Sequence, residues 1–468
     1  MNPVRRLLLS IALAALAGAA VAAEPARLLV RHAMLVTLEA AQPDPFAGYL
    51  LVGADGRIAA LGAGEPPAGM TATETVDAGG NVVMPGFLSG HSHLWQSAFR
   101  GISAGSRAWR AAIHGTYGPH FQTGDVRAFS LHGALDYLRH GITTTYNYSQ
   151  NLDFSPELNE EQYTAELEAG GRFIFGYALI PRPSMEVVRA NFAKFYARVK
   201  AAHDPLVLGI NFASSGVGTA ITDDYLKFEF QMMADFGLGM SMHYLEQPAT
   251  IANNRETFAR IEKLNGLSPR LCFAHFIHAD DYIVARSGAA GVGMSWNPLS
   301  NGRLANGVVD IPKYRKAGVK IGMGIDGQAS ADISDPFENM RMGLYGVRNL
   351  YKDPAALLPI DVLRFHTIGT AEVFGVADEV GTLKVGKFAD FLLVDPAEPD
   401  TGPVADLYAT LVFACNVTNV RRIYVGGQLV ALDGRLTGHD FPALSREVQQ
   451  RVQAVREREA AARAAKKS

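Results

Sequence analysis

Between about Met84 and Val380 the chain alternates short apolar runs with longer stretches of helical periodicity, and this alternation narrows the fold most. Short apolar runs closed by Gly or Pro predict buried strands, and the longer amphipathic stretches between them predict helices. The predicted strands are Gly141 to Tyr146, Arg172 to Leu179, Leu206 to Asn211, Leu238 to His243, Leu271 to His275, Gly291 to Trp296 and Val319 to Ile325. With the run Asn81 to Gly90 they make eight. Eight strands separated by helices over about 300 residues predict an α/β chain folded as a (β/α)8 TIM-type barrel with insertions.

The two flanks share a different texture. Leu28 to Val30, Ala33 to Val36, Tyr49 to Val52 and Ile58 to Leu61 are short runs broken by Gly, Asp and Pro, and Ala54-Asp55-Gly56-Arg57 supplies a hairpin turn. Similar runs return at Gly381 to Leu383, Ala389 to Val394, Val420 to Val425 and Gly426 to Val430. A small antiparallel β-sandwich domain built from both chain ends is expected, from residues 27–82 and 380–437, around a barrel at 83–379. The charged, Ala-rich tail, 438–468, predicts a surface or packing helix and a candidate homodimer surface.

At the N-terminus, Arg5 and Arg6 precede an apolar stretch, Leu7 to Val21, that ends in Ala19-Ala20-Val21-Ala22-Ala23. This is the layout of a cleaved export signal over residues 1–23. The stretch is short of the roughly 20 residues a spanning helix needs, so no stable membrane anchor is expected. A periplasmic or secreted protein follows, by the general or the twin-arginine route. Cys272 and Cys415 are the only cysteines, which excludes a disulfide framework and a thiolate metal site. A net charge of -3 with no basic stripe excludes a nucleic-acid footprint.

Catalytic groups of such barrels sit at the carboxyl ends of strands. Those ends carry His91 and His93, then His243 and Glu246, then His275, then Asp326. His91 and His93 lie at i and i+2, so on a strand both imidazoles point the same way. Three or four imidazoles with one carboxylate suit one divalent ion, Zn²⁺ first and Fe²⁺ as the alternative, with a position left for water. Glu246 joins this group if the chain leaves its strand after His243, as Gln247-Pro248 suggests. Taken singly, His243 or His275 reads more often as a satisfied core histidine, and Asp326 before a Gly as a turn aspartate. Their shared placement carries the argument.

The segments Pro85 to Leu94, Met242 to Glu246, Ala274 to His278, Asn297 to Asn301 and Gly324 to Asp326 resemble signatures of the amidohydrolase superfamily. Val380 to Asp390 is similar to that family's return into its small β domain, and the likeness runs from about residue 27 to 437. The branch it resembles most is that of triazine hydrolases and guanine, cytosine and S-adenosylhomocysteine deaminases. The resemblance implies His91, His93, His243 and Asp326 as ligands of a single metal, with His275 a fifth ligand or a neighbouring acid. It implies that Asp326 takes a proton from water and Glu246 shuttles protons to the ring nitrogen and the departing amine. The stretch Leu206 to Asn211 has no lysine that could bridge two metals, which argues against a two-metal amidase.

A metal-dependent hydrolase of non-peptide carbon–nitrogen bonds is therefore expected, an aminohydrolase of a small heterocyclic substrate. The alternatives are loss of chloride or an alkylamine from a triazine-like ring, or hydrolysis of a cyclic amide. A binding protein on the same fold would lack ligands, and none is missing. Trp95, Gln96 and Asn301 are the candidate substrate contacts, and Arg303 is a weaker one. Trp296-Asn297-Pro298 and Gly327 to Asp332 depart from the family's usual sequence and leave the substrate open.

Overall fold

The apolar run that leads to His91 and His93 serves two sheets. In the computed structural model, which describes residues 24–102, 105, 111–149, 156–180, 184–215 and 221–466, Val82–Pro85 joins one sheet and Phe87–His93 the other. Gly86 is the crossing point. Its N–H donates to the Asp390 carbonyl at 3.0 Å, and a Cβ there would stand 2.1 Å from Thr143 Oγ1. A side chain has no room, so the single strand expected over this run is two.

The first sheet gathers β1 (Ala26–Leu35), β2 (Phe46–Val52), β3 (Ile58–Ala63), β4 (Ala72–Asp77) and β5 (Val82–Pro85) from the front of the chain. The barrel strands are β6 (Phe87–His93), β7 (Ile142–Tyr148), β8 (Arg172–Ala178), β9 (Val207–Ala213), β10 (Met240–Tyr244), β11 (Leu271–His275), β12 (Gly293–Trp296), β13 (Lys320–Met323) and β14 (Asp326–Gly327). The chain then returns to the first sheet with β15 (Phe391–Val394), β16 (Val420–Val425), β17 (Gln428–Leu432) and β18 (Arg435–Leu436).

Both chain ends thus build one sheet, in the order β18-β17-β16-β15-β5-β1-β2-β3 with β4 beside β1. It is mixed rather than antiparallel, because β1 takes β4 and then β5 in parallel along one edge. Gly381 to Leu383 forms no strand; the Leu383 N–H instead donates to the Thr37 carbonyl at 3.0 Å. The alternation of strand side chains divides this sheet between two cores. Val83, Phe391, Leu393 and Tyr424 pack among its own strands. Val82, Met84, Leu392, Val394 and Ile423 face the barrel's hydrophobic core.

The second sheet runs β13-β12-β11-β10-β9-β8-β7-β6-β14 and is parallel throughout. The expected last strand, Val319 to Ile325, is broken into β13 and β14. Its first half pairs with β12 and its second with β6, which closes the ring. Gly324 makes the step: its N–H donates to the Trp296 carbonyl at 2.9 Å, and the Ile325 N–H donates to Ser89 Oγ at 3.0 Å. Helices such as Asp125–Arg139, Pro156–Ala169, Asp223–Phe236 and Ile251–Lys263 fill the intervals between consecutive strands.

The tail is a packing helix, Phe441–Ala465. Val448, Val452 and Val455 recur at helical spacing and bury against Trp95, Phe99, Phe121 and Phe129. Arg451 and Arg458 bind the two Asp125 oxygens at 3.1 and 2.6 Å. Cys272 and Cys415 are buried free thiols. No helix among the described residues is long and apolar enough to cross a membrane. The expected export signal, 1–23, lies outside the described residues.

Candidate metal centre

Strand periodicity sends His91 and His93 from the end of β6 into the same space. The carboxyl ends of β10 and β11 add His243 and His275, and Asp326 opens β14, just past the end of β13. His243 Nε2 lies 3.1 Å from Nε2 of both His91 and His93. Asp326 Oδ1 is 3.6 Å from His91 Nε2 and 3.4 Å from His93 Nε2, and its Oδ2 is 3.8 Å from His275 Nε2. The donor atoms of His91, His243 and His275, and those of His91, His93 and Asp326, each lie within 4.8 Å of one another. All but His243 are buried; His243 is half-buried.

The neighbours of two imidazoles fix which nitrogen faces inward. His93 Nδ1 is 3.1 Å from the Tyr148 carbonyl, which can only accept, so Nδ1 carries the proton and Nε2 presents its lone pair. His275 Nδ1 lies 2.8 Å from Asn301 Oδ1, and its buried Nε2 has no hydrogen-bond partner. Burial, and then the neighbouring His243, His93 and His275, push the His91 imidazole far below its ordinary range. It is therefore neutral, the form that ligates. Facing nitrogens at 3.1 Å, an inward lone pair and a buried carboxylate fit a divalent ion better than a hydrogen-bond network, since one His243 proton cannot serve two acceptors.

The backbone is bent where these groups emerge. Leu245, His275, Phe276 and Asp326 have φ of +48°, +68°, +47° and +72°, a region that disfavours side chains. Such strain, about 1–3 kcal/mol per residue, collects at functional sites. β10 ends at Tyr244, so Glu246 lies beyond the strand, directly after the bend at Leu245. Glu246 Oε1 accepts from Asn306 Nδ2 at 3.2 Å.

The expected substrate contacts occupy distinct settings. The Gln96 amide is fully buried without a hydrogen-bond partner, and a Cβ on Gly327 would stand 1.9 Å from its Oε1. Trp95 is buried edge-on to His114 and Phe121, at 5.3 and 6.1 Å between ring centres. Asn301 holds His275 and keeps its Nδ2 unpartnered. Arg303 pairs with Asp332 at 2.6 Å. His278, whose imidazole burial pushes below its ordinary range, has a buried Nε2 without a partner. Tyr148, Asn306 and Tyr137, whose hydroxyl donates to the Asp326 carbonyl, were not anticipated. Tyr148 lies two residues past the expected strand Gly141 to Tyr146, which the structure extends to Tyr148.

The sequence model of the amidohydrolase family matches residues 82–430, which holds every group of this centre. The chain belongs to the amidohydrolase family. This amidohydrolase is 27% identical over 438 residues to the 5-methylthioadenosine/S-adenosylhomocysteine deaminase of Syntrophobacter fumaroxidans, covering 88% of this chain and 94% of that one. It is 26% identical over 459 residues to the 5'-deoxyadenosine deaminase of Methanosarcina mazei, covering 91% and 97%. Its fold is that of the zinc-bound adenosine deaminase of Xanthomonas campestris, with a TM-score of 0.83, 22% identity and coverage of 93% and 100%. The atrazine chlorohydrolase of Arthrobacter aurescens shares it too, with a TM-score of 0.80, 20% identity and coverage of 91% and 100%. As a member of this family the protein is a metal-dependent hydrolase of carbon–nitrogen bonds.

Proposed function

We propose that this amidohydrolase is a mononuclear aminohydrolase that releases ammonia from a 6-aminopurine, with 5'-substituted adenosines the first substrates to test. The convergence of four imidazoles and Asp326 on one point carries the reading. The deaminase relatives support the substrate class. His91, His93, His243 and Asp326 would hold one Zn²⁺, with Fe²⁺ the alternative and His275 a further ligand or a neighbouring acid. The ion, when bound, supplies the Lewis acidity that makes water a nucleophile near neutral pH. Asp326 accepts the proton of the attacking water. Glu246, aimed by Asn306, relays the two protons of the water, including the one Asp326 took, to the ring nitrogen and the departing amine. His275 stabilises the charge that develops on the carbon's substituents. Water adds, the carbon–nitrogen bond breaks, and ammonia leaves.

Metal content of the purified protein, with ammonia release from adenosines, other purines, pyrimidines and triazines, tests this. About one ion per chain and a loss of about 10³-fold or more in the Asp326→Asn variant is the expected result. Turnover of a chlorinated triazine without ammonia release would instead support the dechlorinating alternative, which uses the same site.

We also infer that the protein is exported. The Arg5-Arg6 pair, the apolar stretch Leu7 to Val21 and the small residues up to Ala23 support this. N-terminal sequencing of protein recovered outside the cytoplasm should begin after Ala22 or Ala23; an intact Met1 there would overturn it.

A further inference from the structure

Tyr148 stands at the carboxyl end of β7 with its ring edge-on to three of the imidazoles. Ring centres lie 5.4 Å from His91, 5.4 Å from His93 and 4.6 Å from His243. Its carbonyl takes the His93 Nδ1 proton at 3.1 Å. One residue therefore sets both the tautomer of one imidazole and the wall against which three of them rest.

What holds Tyr148 lies outside the centre. Its hydroxyl donates to the Ser214 carbonyl, just past the end of β9. Ser214 is itself clamped. Its Oγ donates to Glu229 Oε2 at 2.9 Å, and the next N–H, of Ser215, donates to Glu229 Oε1 at 2.9 Å. The Ser214 N–H donates at 3.0 Å to the carbonyl of Ser241, which lies on β10 beside His243's strand end. Glu229 is fully buried on the helix Asp223–Phe236. Burying a carboxyl is costly unless its hydrogen bonds compensate, and a leucine would fill the same helix face more cheaply.

We propose that Tyr148, braced through Ser214 by the buried Glu229, is a positioning residue that holds His91, His93 and His243 in ligating geometry. This rests on the metal-binding reading above. Hydrogen bonds around first-contact ligands typically carry 10–100-fold in metal affinity, because they fix ring orientation. The clamp spans the ends of β7, β9 and β10, so it transmits the packing of one outer helix to the centre.

The test is the rate of zinc loss from the zinc-loaded full chain to excess chromophoric chelator, with thermal midpoints of the metal-free proteins alongside. Tyr148→Phe keeps the ring and the carbonyl and removes the hydroxyl that bonds Ser214. Glu229→Leu removes the brace, and Glu229→Gln still pairs with both serines. Tyr148→Phe and Glu229→Leu should each speed zinc loss by about 10-fold or more. The double variant should be no faster than the faster single one, since both act along one path. Glu229→Gln should stay near wild type. Zinc loss at the wild-type rate in both single variants, even with lowered thermal midpoints, would overturn the proposal and leave the clamp a purely structural feature. Fully multiplicative effects would also overturn it. If Glu229→Leu does not fold, the Tyr148→Phe rate decides alone. A wild-type chain that retains no zinc would instead sink the metal-binding reading itself, and the positioning role with it.

Discussion

Asn301 decides which nitrogen of His275 faces the centre, by accepting from Nδ1 at 2.8 Å. Removing that acceptor lets the ring rotate or change tautomer, and either withdraws the inward lone pair. Asn301→Ala should therefore cost about 10–100-fold in zinc affinity, measured by competition with a chelator, with little change in the thermal midpoint of the metal-free protein. Unchanged affinity would mean that His275 does not ligate. The residues that converge were legible in the sequence because each follows an apolar run and so had to sit at a strand end. Their partners were not. The Tyr148 contribution is partly a backbone carbonyl, which has no sequence signature, and Asn306 reaches Glu246 from a loop sixty positions along the chain. Pairings of that kind depend on where distant loops come to rest, which periodicity does not encode.

At the scale of elements, Gly324 shows why the last strand was misread. Its apolar neighbours continue the strand pattern, yet a Cβ there would stand 2.6 Å from Asn297 Oδ1 and 2.7 Å from the His91 nitrogen. The break is imposed by ring closure, a global requirement that local pattern cannot show, and the same holds for Gly86 between β5 and β6. Gly324→Ala should destabilise the protein by roughly 1–3 kcal/mol in urea unfolding, by pressing on the strand that carries His91. A second element-level feature is titratable. Glu166 on the helix Pro156–Ala169 accepts from Thr145 Oγ1 at 2.8 Å and Asn147 Nδ2 at 3.0 Å, both on β7. Burial pushes its carboxyl from 4.5 up to about 8, against the pull of those two bonds. The folded chain thus holds a proton that the unfolded chain releases. The stability this confers is complete below 4.5, and it is lost as pH rises through about 8. Glu166→Gln mimics the protonated form and has no such loss. Between about pH 5 and 8 the urea midpoint of the wild type should fall relative to that variant. A constant difference would show that Glu166 does not titrate in this window.

For the whole molecule, the question is what couples the barrel to the sheet built from both chain ends. Arg172 opens β8 in the barrel, and Asp390 directly precedes β15 in the sheet. Their side chains are 3% exposed each, with Arg172 Nε donating to Asp390 Oδ2 at 2.6 Å. The pair is embedded rather than isolated. The guanidinium also donates to the Pro205 carbonyl at 2.6 Å and lies 3.5 Å over the Phe388 ring, and Asp390 Oδ1 accepts from the Gly426 N–H at 2.7 Å. Arg172 Nε and Nη1 and both Asp390 oxygens therefore have partners, and losing one end strands the other in a dry setting. Asp390→Ala should cost about 3–5 kcal/mol in denaturant unfolding, most of it from the uncompensated Arg172 charge. Replacing both, as Arg172→Met with Asp390→Leu, removes the buried charge and should recover part of that loss. It cannot recover all of it, because the Pro205 carbonyl and the Gly426 N–H remain unpaired. If the double variant is as unstable as Asp390→Ala, the cost lies in the lost backbone bonds rather than in the stranded charge. If Asp390→Ala costs less than about 1 kcal/mol, the pair does not couple the two sheets, and their shared apolar face does so alone.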